Sequence, residues 1–278
     1  MLQVSLVAFW FATALYAAAT VLYGYYFLTK RRSYSWYATF LTGAGFLCHT
    51  LSVGLRSVAM HGTQLDGANT LILLAWALVL IYFVIEHLIK LKVYGAVLVP
   101  CALLMLVVAQ LLNALGWGNV ASTSVLVENW KVGIHVALIL FGYAGFAVGA
   151  VAAGAYLIQE RQLKLHKTSV LFRRLPSLGG IDGLARRAVA FAFPAYTAGV
   201  LLGTLRAVET DPPGWWADPR VILAGVVWLV YAVYIVLRAR GKIDARRAAW
   251  LSISGAVFVI ALAVAARTVS VGFHIFGV

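Results

Sequence analysis

The run NWKVGIHVALILFGYAGFAVGAVAAGAYLIQERQLK, residues 129 to 164, decides how the chain is read. Between Lys131 and Glu160 it has no charged side chain and a single histidine, His135, near its start. Wound as a helix at about 1.5 Å per residue, the apolar part from 132 to 158 covers about 40 Å, more than the roughly 30 Å of hydrocarbon in a bilayer. Comparable runs fall at 4 to 29, 35 to 58, 68 to 89, 93 to 112, 188 to 208, 221 to 238 and 248 to 271. With 63% hydrophobic and 11% charged residues, the chain holds far more apolar length than one soluble core can bury. Strands of alternating polarity are absent, and an open sheet would leave backbone groups unpaired in lipid. The sequence therefore predicts an all-α integral membrane protein, a bundle of about eight transmembrane helices forming one polytopic domain over residues 1 to 278. Residues 1 to 29 lack a basic leader and a small-residue cleavage site, so they read as a retained first span. No internal repeat is evident in the sequence.

A formal charge of +13 suggests nucleic acid until the basic residues are mapped. Seventeen of the 22 lie in alternate connections: Lys30 to Arg32, Lys90 and Lys92, Arg161 to Arg187, and Arg238 to Arg247. By the positive-inside bias these connections are cytoplasmic and both termini lie outside, so the excess is a topology signal and no nucleic-acid partner is expected. The pattern fits a multi-pass protein of the bacterial inner membrane. The link from 159 to 187 starts amphipathically and then meets Pro176 and a glycine pair, which predicts an interfacial helix followed by a turn. Cys48 and Cys101 both lie inside spans and form no C-x-x-C pair, which excludes a thiol oxidoreductase and a covalent c-type haem site.

Six histidines remain. His135 opens the fifth span, His274 closes the eighth in VGFH, and His61 belongs to the loop after the second span, all on the outer side of this topology. His49 lies somewhat outward of mid-span, where an ionisable side chain is costly and suggests function. His87 and His166 lie toward the cytoplasm. The outer loop ETDPPGWWADPR, residues 209 to 220, adds Trp215 and Trp216, and the same side carries Arg56, Lys131, Arg206 and Arg220. Haem iron takes two neutral imidazoles, porphyrin stacks on aromatic rings, and propionates bind Arg or Lys. Each feature also has a plainer role: indoles favour the headgroup layer, a histidine at a helix end is usually just hydrogen-bonded, and a buried imidazole can bond across helices. No zinc spacing such as H-x-x-x-H or H-x-x-E-H occurs.

WWADPRVILAGVVWLVYAVYIVLR resembles the tryptophan-rich segment and following helix of the cytochrome c assembly family, the membrane haem-handling proteins that include CcsA, CcmC and CcmF. Trp228 and Tyr231 stand at that family's offsets from Asp218. The 129 to 164 run, RLPSLGGIDGLARRAVAFAFPAYTAGVLLG and the closing VGFH are similar to other family segments, in the same order, over about residues 45 to 278. The resemblance implies non-covalent haem b held by His135 and His274 as iron ligands, with Trp215, Trp216 and Asp218 in a platform between them. It also implies delivery to apocytochrome c beside a second membrane subunit with a large outer domain (ResB-like). His49, Arg56 and Arg220 are added as cofactor contacts from their placement alone. Three departures stand out. The tryptophan-rich loop is short, Val221 replaces an acidic residue, and HIF replaces HSY at the end. They leave a component of a haem lyase as one reading. The HemX and YpjD group supplies the alternative, a membrane regulator of tetrapyrrole synthesis acting on glutamyl-tRNA reductase. An electron-transfer cytochrome would need stacked mid-helix histidine pairs, and a transporter several buried carboxylates; neither pattern is present.

Overall fold

Side chains that cannot hydrogen-bond to lipid leave the backbone to satisfy itself, and each long apolar run accordingly folds as a helix. The computed structural model describes residues 1–29, 31–60, 67–89, 92–116, 130–166, 176–211 and 213–268. Among these residues there are eight α-helices and no strand: α1 (Leu2–Thr29), α2 (Arg32–Ala59), α3 (Gly67–Ile89), α4 (Gly95–Ala114), α5 (Trp130–Lys164), α6 (Leu178–Thr210), α7 (Pro219–Ala239) and α8 (Ala245–Thr268). Seven of them, α1 to α7, are long and apolar enough to cross a membrane. The helices group into two compact units, α1–α4 and α5–α8.

In the first unit α1 and α2 make the most extensive contact, α3 packs on α4, α4 closes against α1, and α2 touches α3 less. The face α1 buries, Ser5, Ala8, Ala12, Tyr16, Ala19 and Tyr23, and that of α2, Ser35, Ala38, Thr42, Gly45, His49 and Ser52, both follow the three-and-four spacing of a helical stripe. The α2 stripe is mostly polar or small, whereas Trp36, Phe40, Leu47 and Leu51 face outward. This inversion is the membrane arrangement: lipid solvates the apolar side, and polar groups find partners on the next helix. Farther along, the Tyr23 hydroxyl meets Thr39 at 3.1 Å and also bonds Tyr82, which donates to Glu86. Glu86 pairs with Lys92 at 3.7 Å, so this carboxylate near the helix end is fully engaged.

The second unit repeats the hierarchy. α5 pairs most extensively with α6 and α7 with α8, α8 closes on α5, and α6 touches α7 less. Its core centres on Phe146, whose ring stacks on Tyr231 at 3.6 Å between centroids, with Tyr196 and Tyr234 around it. The Tyr196 hydroxyl donates to the Ala224 carbonyl at 3.2 Å and Tyr231 to that of Ser252 at 3.2 Å, tying α6 to α7 and α7 to α8. Arg238 and Asp182 form an ion pair between α7 and α6.

Both ends of the link predicted over 159 to 187 are helical. Residues 159–164 continue α5 without a break, and α6 starts at Leu178 instead of 188. Glu160 and Lys164 pair at 2.7 Å on the extended turn of α5. At the other end Ser177 is the N-cap, its hydroxyl oxygen accepting the Gly180 N–H at 3.2 Å, so the glycine pair opens a helix and does not form a turn. Residues 167–175 lie outside the described residues.

Candidate functional site

α5 and α6 approach closely because glycine faces a larger side chain all along their contact. Gly142, Gly145 and Gly149 of α5 sit against Tyr196, Ala192 and Val189 of α6, and Gly199 and Gly203 of α6 sit against Ile139 and His135 of α5. A methyl group on Gly203 would lie 2.6 Å from His135 Cε1, so the imidazole rests directly on the α6 backbone. Its Nδ1 lies 2.6 Å from the Gly199 carbonyl oxygen. A carbonyl can only accept, so Nδ1 carries the proton, and in the neutral ring Nε2 holds the lone pair. Histidines that ligate metals are held in this way, with one nitrogen donating to a backbone carbonyl and the tautomer fixed for the other.

One turn nearer the start of α5 is Lys131, bonded to Glu209 of α6, and Glu209 also pairs with Arg206 at 3.6 Å. α6 ends at Asp211 in a left-handed conformation (φ 40°), and Gly214 (φ 73°) leads into a 3-10 turn, Trp215–Ala217. Trp216 is 71% exposed, whereas Asp218 is only 3% exposed. Asp218 accepts the Arg220 N–H through Oδ1 at 2.8 Å and is the N-cap of α7, with Pro219 in the first helical position. Trp228 on α7 donates its indole N–H to Thr197 at 3.0 Å, and Tyr231 belongs to the core.

His49 is completely buried in the first unit. Its Nδ1 faces the Tyr16 hydroxyl at 3.5 Å, and the Tyr16 ring lies over Gly45. Arg56, near the end of α2, lines a small cleft within that unit, beside Asn69 and Gln110. His274 and His61 lie outside the described residues. The second unit thus brings together His135, Lys131, Arg206 and the helix that ends at the tryptophan turn. The sequence reading overlooked Gly199, Gly203 and Glu209; the visible trace of the first two was a four-residue glycine spacing ahead of Arg206.

The described residues thus define a multi-pass helical membrane protein in which an imidazole is held against the next helix near a helix start. Comparison with known proteins narrows it. Residues 65–274 match the family described as Cytochrome C assembly protein, and the chain belongs to that family. It is 28% identical over 238 residues to the cytochrome c biogenesis protein CcsA of Prochlorococcus marinus (strain MIT 9303), covering 75% of this chain and 74% of that protein. The CcsA of Guillardia theta is 26% identical over 225 residues, covering 75% and 74%, and that of Chlorella vulgaris 28% over 271 residues, covering 86% of both. These relatives lend no support to the HemX-like regulatory alternative.

Proposed function

We propose that this protein holds haem b non-covalently at the outer face of a bacterial inner membrane, with His135 and His274 as axial ligands beside Trp215 and Trp216, and presents it to apocytochrome c. The observation that carries the reading is the bond from His135 to Gly199, which leaves Nε2 with the lone pair that iron requires. When bound, haem supplies the vinyl groups to which the apocytochrome thiols add. The chain's own contribution is placement. Gly203 sets the plane of the imidazole, Asp218 fixes where the tryptophan turn leaves α7, and the exposed Trp216 offers an aromatic face on which a porphyrin stacks. His274 and Trp215 enter on the family's residue pattern, and a ResB-like second subunit supplies the large outer domain that this chain lacks among its described residues. The reading requires neither His49, Arg56 nor the Arg220 side chain.

The test is the absorption spectrum of the purified full chain from haem-replete cells. A bis-imidazole Soret band with split reduced bands is expected, and it disappears in His135→Ala and in His274→Ala. A colourless preparation, or a spectrum indifferent to both substitutions, overturns the proposal. Trp216→Ala is expected to weaken haem retention; unchanged occupancy reduces the tryptophan pair to an interfacial belt.

A further inference from the structure

Lys131 and His135 are four residues apart on α5 and therefore share a face, with the ammonium-bearing residue about 6 Å closer to the start of the helix. On α6, Arg206 stands three residues beyond Gly203, the glycine on which the His135 ring rests, and Glu209 three residues beyond Arg206. Glu209 uses both oxygens: Oε1 accepts from the Lys131 ammonium, and Oε2 lies 3.6 Å from Arg206 Nη1. Two cations one turn beyond a metal-competent imidazole are thus bridged by one carboxylate, and all three side chains are about a third exposed, at 31, 35 and 34%.

We infer that Lys131 and Arg206 form the seat for the carboxylates of the porphyrin, and that Glu209 is a placeholder carboxylate displaced when the ligand binds. This rests on the haem reading above and deepens it by naming the chemical class the site selects: a metalloporphyrin bearing two ionised carboxylates on one edge. Charge balance supports the exchange. With Glu209 in place the trio carries one net positive charge; with Glu209 turned to water, two cations face two carboxylates. The bonds that break are exposed ion pairs, which contribute little, while those that form lie against a planar ligand that shields them from solvent, and the Arg206 guanidinium is suited to a bidentate carboxylate. Glu209 also keeps two like charges from facing each other when the site holds no ligand. The seat therefore orients the ring edge, while the imidazole holds the metal.

The experiment titrates the purified full chain in detergent with iron(III) protoporphyrin IX and with its dimethyl ester, which has the same iron and ring but no carboxylate. Wild type is expected to bind the diacid tighter by on the order of tenfold or more, as charge-assisted hydrogen bonds to two cations allow. In Lys131→Gln/Arg206→Gln that preference falls toward unity while diester affinity is unchanged, and the unchanged diester affinity shows that the variant is folded. Glu209→Gln tightens the diacid severalfold and leaves the diester alone. Added salt narrows the wild-type preference. Equal binding of diacid and ester by wild type, or a preference that survives in the double variant, overturns the seat while a His135-dependent spectrum keeps the haem site. Spectra that do not depend on His135 remove the haem site and the seat together.

Discussion

The two four-helix units close the contact of their first two helices in the same place and by different means. In the first, Ser5 and Ser52 exchange bonds: the Ser5 hydroxyl donates to the Ser52 carbonyl at 3.0 Å and the Ser52 hydroxyl to that of Ser5 at 2.8 Å. In the second, near the corresponding helix start, His135 donates to the Gly199 carbonyl. A serine spends its only proton on such a bond, and the contact is then simply a lock. An imidazole has a second nitrogen, and on the proposed function the same lock also aims a ligand. The glycines differ to match. Gly45 makes room for the ring of Tyr16, which faces a wholly buried His49, whereas Gly203 makes room for an imidazole near a helix end.

Replacing His135 by Ser turns the second lock into the first kind and gives the largest expected effect, complete loss of the haem spectrum with the helices retained by circular dichroism. A spectrum that survives His135→Ser erases the distinction between the units. Gly203→Ala is expected to cost about 1–3 kcal/mol by overpacking and to push the ring off the Gly199 carbonyl, so that the thermal unfolding midpoint and the Soret position both change. Gly45→Ala brings a methyl within 2.8 Å of the Tyr16 ring and is expected to cost a similar amount, about 1–3 kcal/mol, yet to leave the Soret band where it was. A shifted band in that variant assigns His49 a share in holding iron. Ser5→Ala sharpens the comparison at its small end, with a loss of about 0.6 kcal/mol in detergent unfolding, typical of one interhelical bond in a membrane protein, and no spectral change.

The existence of the helices was legible because each apolar run is as long as a bilayer is thick; their ends were not. Apolarity marks where lipid stops, and a helix continues into water wherever a cap or an i,i+4 pair supports it, as Ser177 does for α6 and Glu160 with Lys164 for α5. His135 stood out as an imidazole opening a span. Its orientation was illegible, because the group that fixes it is a backbone carbonyl and every residue has one. The depth of His49 could be read from its distance to the span ends, whereas its neighbour Tyr16, 33 positions earlier, is brought to it only by the pairing of α1 with α2. The burial of Asp218 as a cap emerges only once α7 is known to start at Pro219.

The inverted polarity of α2 bears on how the protein is made. Of the seven apolar helices it has the lowest mean hydropathy, because Thr42, His49 and Ser52 occupy the side that ends up covered. A newly synthesised segment of that kind partitions poorly into lipid alone. The helix that covers it, α1, precedes it in the chain by a two-residue connection, so insertion of the two as a hairpin is expected, and deleting α1 is expected to lower the membrane-inserted fraction of α2 in a translation-insertion assay.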